Sequence, residues 1–485
     1  MLSSVRYRDF KRYKNVGLDL STPITVLVGP NSSGKSSLLK GLLAFKQTYE
    51  DPFDHAGFMS HGQYVDIGLF NEYVRDHDSK ETISFTFQIT SFEHPNFRSS
   101  ENLRFGTVFV EIEQSEDPQT KHGRVESYVV YFIPRGSDSD DYKKSLYYIS
   151  YTRMQKSEER FRIFVSPSLY IYVAGGFGST KPADALIEQY SKAMQKCASG
   201  KIQSQRDNKR GMTIDFTRGG FDDSIEPIFR IERYLIDRAH SQLVVALTSN
   251  LFALAALRSK PSRSLKRTDE RHTVGSEGQN TASVYLDLHE RSVKAGIRGG
   301  KIREDFTKLE EWFRRLKLGE QLEIGSWRDL IDMRMQSTSG RKSTDSVADI
   351  GVGFSQAAPI LVQLAAMPNQ SMLILEQPEL HLYPWAQTRL GQILCEEAKA
   401  NNKRIIIETH SEHLIRGMQL HVSETRKSDG SGLGPSDIKI VYVDRDASLT
   451  LIQMDEFGEF TSDWPDGFFD QTINVYRTII QNKLS

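Results

Sequence analysis

The chain has 485 residues, enough for two or three domains or for one large domain carrying insertions. Charged residues make up 26% yet nearly cancel to a formal net charge of -1, so no global field draws the chain to nucleic acid or to an anionic membrane. The two cysteines, Cys197 and Cys395, stand far apart in no metal-ligand spacing, which argues against a disulfide framework and a zinc site and suits a reducing cytosol. The opening MLSSVRYRDF is charged from its sixth residue and has no apolar h-region, and no run approaches about eighteen consecutive apolar residues. The chain is therefore read as cytoplasmic, with no membrane partner.

The first fifty residues read as strand, turn, strand, loop and helix. VGLDL leads to a turn at Ser21-Thr22-Pro23, and ITVLV is a continuous apolar run of the kind buried in parallel sheets. GPNSSGKSS follows, and SLLKGLLAFKQ then carries apolar residues at helical spacing. From about 60 to 175 the runs ISFTFQI, TVFVEIE, YVVYFI and FRIFV predict antiparallel strands, separated by polar turns such as RGSDSDD at 135–141. Between about 180 and 320 the pattern turns helical, with Ala/Leu-rich stretches at 183–198, 229–258 and 304–317. A basic, turn-rich segment at 258–272 interrupts them. No heptads persist there and no internal repeat is visible. After a polar stretch at 336–347 the chain alternates again: helix GFSQAAPILVQLAA, strand MLILE, helix PWAQTRLGQILCEEAKA, strand RIIIET, helix SEHLIRGMQL. IKIVYVDRD and SLTLIQM predict further strands before a closing helix.

Gly29 to Ser36 spell G-x-x-x-x-G-K-S between a predicted strand and a predicted helix. Glycines let backbone N–H groups curl around phosphates, and the helix that follows offers its positive N-terminal end. Asn31, Ser32, Ser33, Gly34, Lys35, Ser36 and Ser37 are the candidate nucleotide contacts, with Lys35 on the β- and γ-phosphates and the Ser36 hydroxyl on Mg2+. The competing reading is a Gly/Ser turn that fits by chance, against which the flanking strand and helix both weigh. Such a loop needs an acid at the end of a neighbouring apolar strand, and Glu376 ends MLILE at the carboxyl end where parallel sheets place ligands. Glu379 lies three residues on.

Two further elements fall in order around that strand. In GVGFSQAAPI, Gly353, Ser355 and the backbone at a helix start have the make-up of the signature motif of ABC ATPases. RIIIETHSEHL ends a strand in Thr409-His410, which suits the histidine that senses the γ-phosphate in those enzymes. Lys35 and Glu376 are about 340 residues apart in the sequence, which is too far for AAA+ ATPases or small GTPases and matches a split ABC head with a large insertion.

These residues carry a family resemblance. VRYRDFKRYKNVGLDLSTPITVLVGPNSSGKSSLLKGLL resembles the opening of RecF/OLD-type ATPases. GVGFSQAAPILVQLA, LILEQPELHLYPWAQTRLGQIL and RIIIETHSEHLIRGMQ resemble the C-terminal half of stand-alone, Toprim-less OLD-like ATPases of prokaryotes, as does the closing WPDGFFDQT. A weaker likeness runs through LRSKPSRSL and HTVGSEGQN, and it is thin over 100–250. The resemblance implies an α/β fold, a P-loop ABC-type ATPase head split by a large insertion. Residues 1–175 would supply its N-terminal part with the P-loop and antiparallel strands, 176–345 a mainly helical insertion, and 346–485 the signature, acidic strand and switch histidine. It implies ATP and Mg2+ as cofactors, with Ser36 and Glu376 at the metal, Gly353 and Ser355 as contacts made in trans, and Glu376, Glu379 and His410 as catalytic residues. It further implies a homodimer, or a ring of dimers, closed through the ATP sites. Relatives such as the Septu protein PtuA and the PARIS protein AriA are ATPase subunits of anti-phage defence systems and work with a separate nuclease or toxin effector.

One departure stands out. Many ABC enzymes carry Asp-Glu at the strand end, where the second acid polarises the attacking water, and this chain has Glu376-Gln377. Gln377 cannot act as a base. Either Glu376 or Glu379 takes that duty, or turnover is slow and the protein acts as an ATP-held scaffold. A RecF-like DNA-repair ATPase is a further alternative, in which the basic residues Arg258, Lys260, Arg263, Lys266, Arg267 and Arg271 would meet phosphate backbone. For that segment a solvated loop and a trans contact to ATP through Arg258 or Arg263 both remain open, whereas Arg6, Arg8, Lys11, Arg12 and Lys14 read as a solvated face. Asp444 and Asp446 read as a strand-to-turn acid pair and not as a Toprim nuclease site, because fewer than fifty residues follow. His410 and His413 have a metal-like spacing that is not read as a zinc site. His381 and Tyr383 occupy the place where ABC heads touch across the dimer.

Overall fold

A computed structural model describes residues 1–51, 58–90, 105–134, 142–145, 147–153, 161–165, 226–260, 262–295, 301–336, 344–427, 431–462, 464–465 and 471–484. The turn expected at 135–141 and the helix expected at 183–198 lie outside them. Two compact units are present: Met1–Ser21 with Lys40–Ser249, and Thr22–Leu39 with Asn250–Ser485.

The elements of the first half are β1 (Leu2–Phe10), β2 (Tyr13–Asp19), β3 (Ile24–Val28), α1 (Lys35–Glu50), a short α2 (Phe70–Tyr73), β4 (Ile83–Thr90), β5 (Phe105–Glu116), β6 (Gly123–Pro134), β7 (Tyr148–Arg153), β8 (Phe161–Val165) and α3 (Glu226–Leu247). In the first unit seven strands form an antiparallel sheet in the order β2-β1-β4-β5-β6-β7-β8. The expected antiparallel runs are all there. Alternation sends Tyr7, Phe85 and Phe87 to one face, where they pack with Phe45 of α1 and with Phe58. The other face is polar: Glu111 accepts from Ser84 at 2.9 Å and from Lys143 at 2.7 Å, and Arg8 pairs with Glu113 at 2.9 Å. Arg8 keeps 42% of its side chain exposed in this pair, which lies at the surface.

The second half continues with β9 (Leu251–Leu254), β10 (Leu265–Lys266), α4 (Thr281–Ala295), α5 (Lys301–Arg315), β11 (Leu322–Trp327), β12 (Leu330–Gln336), β13 (Thr344–Ser346), α6 (Val352–Ala366), β14 (Met372–Glu376), α7 (Pro384–Ala400), β15 (Arg404–Glu408), α8 (Glu412–Lys427), β16 (Ile438–Val443), β17 (Leu449–Ile452) and α9 (Gln471–Leu484). In the second unit six strands lie in the order β17-β16-β3-β15-β14-β9, with only β17 antiparallel. The arrangement is α/β, with β3 drawn from the N-terminal part of the chain and β14 to β16 from the C-terminal part. Strands β3 and β15 are buried along their whole length, which explains their continuous apolar runs. Helices α7 and α8 approach closely, since a Cβ on Gly417 would lie 2.0 Å from the Thr388 carbonyl oxygen. Small residues are what this crossing requires.

Two readings of the sequence need correction. The stretch 229–258 is not helical throughout: α3 ends at Leu247, and Leu251–Leu254 becomes β9, paired in parallel with β14. Thr248, Ser249 and Asn250 break the helix, and the LFAL run satisfies its backbone better on the open edge of the sheet. The stretch 176–345, expected to be mainly helical, also holds most of a small sheet, β10-β12-β11 with β13 on β12, nearly all of it after residue 320.

Candidate functional site

The second unit places the loop 29–34 directly after the buried strand β3, and α1 begins at Lys35. The loop is tight: φ is +139° at Gly29, +61° at Ser32 and +106° at Gly34. Gly29 admits no side chain, because a Cβ there would stand 2.2 Å from the Val443 carbonyl oxygen at the end of β16. Lys35 is 4% exposed, and its Nζ donates to the carbonyls of Gly29 at 3.0 Å and Pro30 at 2.7 Å. The loop thus folds its own cation back onto itself. Burial pushes the Lys35 ammonium below the ordinary lysine range, and the Glu408 carboxylate pulls it back up. Ser33 is fully buried and its hydroxyl has no hydrogen-bond partner among the described residues. Asn31 and Ser32 are exposed at the loop tip.

The acids come from the two neighbouring strands. β15 lies between β3 and β14, and its pairing sets Glu408 beside Leu27 on one side and Glu376 on the other. Ser36 Oγ donates to Glu408 Oε1 at 2.8 Å. The sequence reading assigned the acid near Ser36 to Glu376 and did not single out Glu408. Glu376 is partly exposed, and the chain turns sharply after it, with φ +41° at Gln377. The Gln377 N–H returns to the Glu408 carbonyl at 2.7 Å. Glu379 is buried, and its Oε1 accepts the His410 backbone N–H at 3.0 Å. Burial pushes its carboxyl up, against that hydrogen bond. The acid therefore braces the chain just after β15.

His410 is half-buried, and burial first and the Lys35 charge second hold its imidazole below the ordinary histidine range. An NMR titration is expected to give His410 a midpoint below the usual value, and Lys35→Ala is expected to raise that midpoint. A midpoint unmoved by the substitution would show that the lysine charge is not felt at the ring. The unfolded chain takes up this proton more readily than the folded one. The residue therefore adds stability as pH rises from its folded midpoint to the ordinary histidine value.

Arg258 is 5% exposed and is not part of a solvated loop. Its guanidinium donates to the carbonyls of Glu376 at 2.9 Å and Gln377 at 3.3 Å, and its backbone N–H reaches the Gln356 side chain at 3.4 Å. Burial pushes its pKa down to about 10, while Glu379 and Glu376 draw it upward. It clamps the turn after β14 to the first turns of α6. Arg263, by contrast, is exposed and pairs with Asp349 at 2.6 Å. The HTVGSEGQN segment also packs on α6, through Gln363, which accepts the Val274 N–H and donates to the His272 carbonyl, each at 2.9 Å.

Gly351 caps α6, and Gly353 sits against the chain at His381, where a Cβ would meet a carbonyl oxygen at 3.0 Å. The Ser355 hydroxyl donates back to the Val352 carbonyl at 2.8 Å. Around this helix start Val352, Tyr383 and Trp385 are exposed, and Arg389 stacks on Trp385 at 4.3 Å. Asp444 and Asp446 serve the β16–β17 turn, Asp446 accepting the Ser448 N–H at 2.8 Å. His413 is exposed on α8, and among the described residues no group of three His, Cys, Asp or Glu is arranged to hold a metal ion.

The donors suit an anionic phosphate chain: a buried ammonium, a backbone cradle closed to side chains at Gly29, and the buried Ser33 hydroxyl, which has no partner among the described residues. Hydroxyl and carboxylate oxygens beside them suit a hard dication such as Mg2+.

Residues 1–209 match the model described as "AAA ATPase domain", residues 249–416 that described as "AAA domain, putative AbiEii toxin, Type IV TA system", and residues 433–475 that of a protein of unknown function (DUF3696). No curated protein matches the chain. Among solved structures, the head of Smc bound to the C-terminal winged-helix domain of ScpA is 11% identical, covering 94% of this chain and 98% of that one, with a TM-score of 0.39. The Smc head with an extended coiled coil, bound to the C-terminal domain of ScpA derived from Pyrococcus furiosus, is 12% identical over 99% of both chains, with a TM-score of 0.38. The SMC head domain of Thermotoga maritima is 10% identical over 86% of this chain and 91% of that one, with a TM-score of 0.33. Over residues 1–209 and 249–416 the chain is thus similar to AAA-type ATPase domains. Among the described residues no helix is long and apolar enough to cross a membrane.

Proposed function

We propose that this chain is an ATPase subunit that binds ATP with Mg2+ in composite sites between copies of itself, and that its nucleotide state governs a separate nuclease or toxin effector in a prokaryotic anti-phage defence system. The observation that carries the ATP reading is the convergence of Lys35, Ser36, Glu376, Glu408 and His410 at the carboxyl ends of three adjacent parallel strands. In this reading Lys35 and the N–H groups of residues 31–37 hold the phosphates, while Ser36 and a strand-end acid hold Mg2+. When bound, the ion neutralises charge on the phosphates. Gly353 and Ser355 would reach the nucleotide of a second copy, a role supported by the exposure of Val352, Tyr383 and Trp385 around the start of α6. The defence role is supported by the match to the AbiEii-type domain and by the family resemblance of both chain ends.

A second reading, the ATP-held scaffold, is favoured by Gln377 in the place of the usual base. Light scattering and phosphate release on the purified protein test both. ATP-dependent association together with turnover supports the ATPase, and association without turnover supports the scaffold. In the second case Gln377→Glu is expected to raise turnover. A protein that binds no ATP would sink both readings.

A further inference from the structure

We propose that Glu408, and not Glu376, is the acid that works with Ser36 at the metal end of the phosphate site, which leaves Glu376 to take the proton of the attacking water. The inference rests on the ATP and Mg2+ reading of the site. A serine hydroxyl has one hydrogen and two lone pairs. Here the hydrogen goes to Glu408 Oε1 at 2.8 Å, so the lone pairs remain for a hard cation. Topology separates the two acids. β15 pairs directly with β3, whereas β14 is one strand further out, about 4.8 Å more across the sheet. Burial separates them in the same sense, because Glu408 is 5% exposed and Glu376 is partly open to solvent. A carboxylate that orients a metal-binding hydroxyl gains from being fixed and dry, while one that receives a proton from water must be reached by water. Gln377 cannot receive it. In the hydrolytic step the water oxygen bonds to the γ-phosphorus, the bond to the β,γ-bridging oxygen breaks with its electron pair going to ADP, and the water proton passes to the Glu376 carboxylate.

The test measures the affinity of a fluorescent ATP analogue in EDTA and in Mg2+, beside single-turnover hydrolysis. Glu408→Gln is expected to lose about 10–100-fold of the Mg2+-dependent gain in affinity, the usual loss when a group that orients a metal ligand is removed, with affinity in EDTA unchanged. Glu376→Gln is expected to keep that gain and lose hydrolysis. Ser36→Ala removes the same hydrogen bond from its other end. The double variant Ser36→Ala/Glu408→Gln should therefore lose little more than either single one, which separates the metal role from misfolding. A full Mg2+ gain in Glu408→Gln, a gain lost in Glu376→Gln instead, or a wild-type affinity indifferent to Mg2+ would each overturn the inference while ATP binding stands. A wild-type protein that binds no analogue under either condition would overturn the ATP reading itself, and the inference with it.

Discussion

Lys35→Ala is expected to lower ATP turnover by about 10²–10³-fold, the loss found when one preorganised donor to the transferred charge is removed. The size of the effect follows from where the ammonium sits. At 4% exposure it has given up most of its water, and its compensation is two carbonyl oxygens of its own loop and the charge of the nearby Glu408 carboxylate. The carbonyls are neutral acceptors, and burial outweighs the carboxylate and still pushes the ammonium below its ordinary range. Phosphate oxygens would replace them with charge-assisted hydrogen bonds of roughly twice the strength. The loop's own carbonyls therefore under-compensate a cation that an anionic phosphate would satisfy better. It follows that the substitution should leave the melting temperature of the nucleotide-free protein almost unchanged, since it removes a desolvated charge together with modest hydrogen bonds. The rise in melting temperature on adding ATP should disappear, because that rise is binding to the folded state alone. Turnover and ATP-induced stabilisation equal to wild type would remove Lys35 from the site.

How much of this site was legible in the sequence varies with the physical origin of each part. The phosphate loop declares itself because only a few residue types permit its backbone, and strands β3, β14 and β15 declare themselves as short, mostly apolar and almost wholly buried runs. Strand β9 did not. LFAL adjoins a helical pattern, and its partner Met372–Leu375 lies about 120 residues away, so nothing local marks it as a strand. Glu408 was overlooked for a related reason. Read along the chain it is the residue before Thr409-His410, and only the pairing of β15 between β3 and β14 brings it to Ser36. A signal was present, because MLILE and RIIIE share the form of four residues of core strand closed by a glutamate. Arg258 was counted with five other basic residues of its segment, although its surroundings differ entirely. The turn at Glu376 and Gln377 leaves two backbone carbonyls facing inward, and a planar five-donor guanidinium fits that demand where an ammonium would not. Spacing shows which residue types are available; it does not show which carbonyls a turn will orphan.

Lys403→Met is expected to destabilise the second unit by about 3–5 kcal/mol, the cost of stranding one member of a buried ion pair. The side chains of Lys403 and Glu397 are 3% and 4% exposed, and they meet at 2.5 Å. Asn401 gives Glu397 Oε1 a further hydrogen bond at 2.6 Å, but without the lysine the buried carboxylate would lose the counter-charge it meets here. The lysine also donates to the Leu364 carbonyl at 2.5 Å, in the last turn of α6, so its loss frees one end of the helix whose other end carries Gly351 and Gly353. Each kcal/mol lowers the melting temperature of a large domain by about 2–4 °C, so a drop on the order of 6–20 °C is expected by calorimetry. The double variant Lys403→Met/Glu397→Leu should recover much of that loss, because the penalty comes from the uncompensated charge and not from the absence of the pair. Should the double variant melt no higher than Lys403→Met alone, the lysine would matter through the α6 carbonyl, and its main contribution would be to anchor that helix.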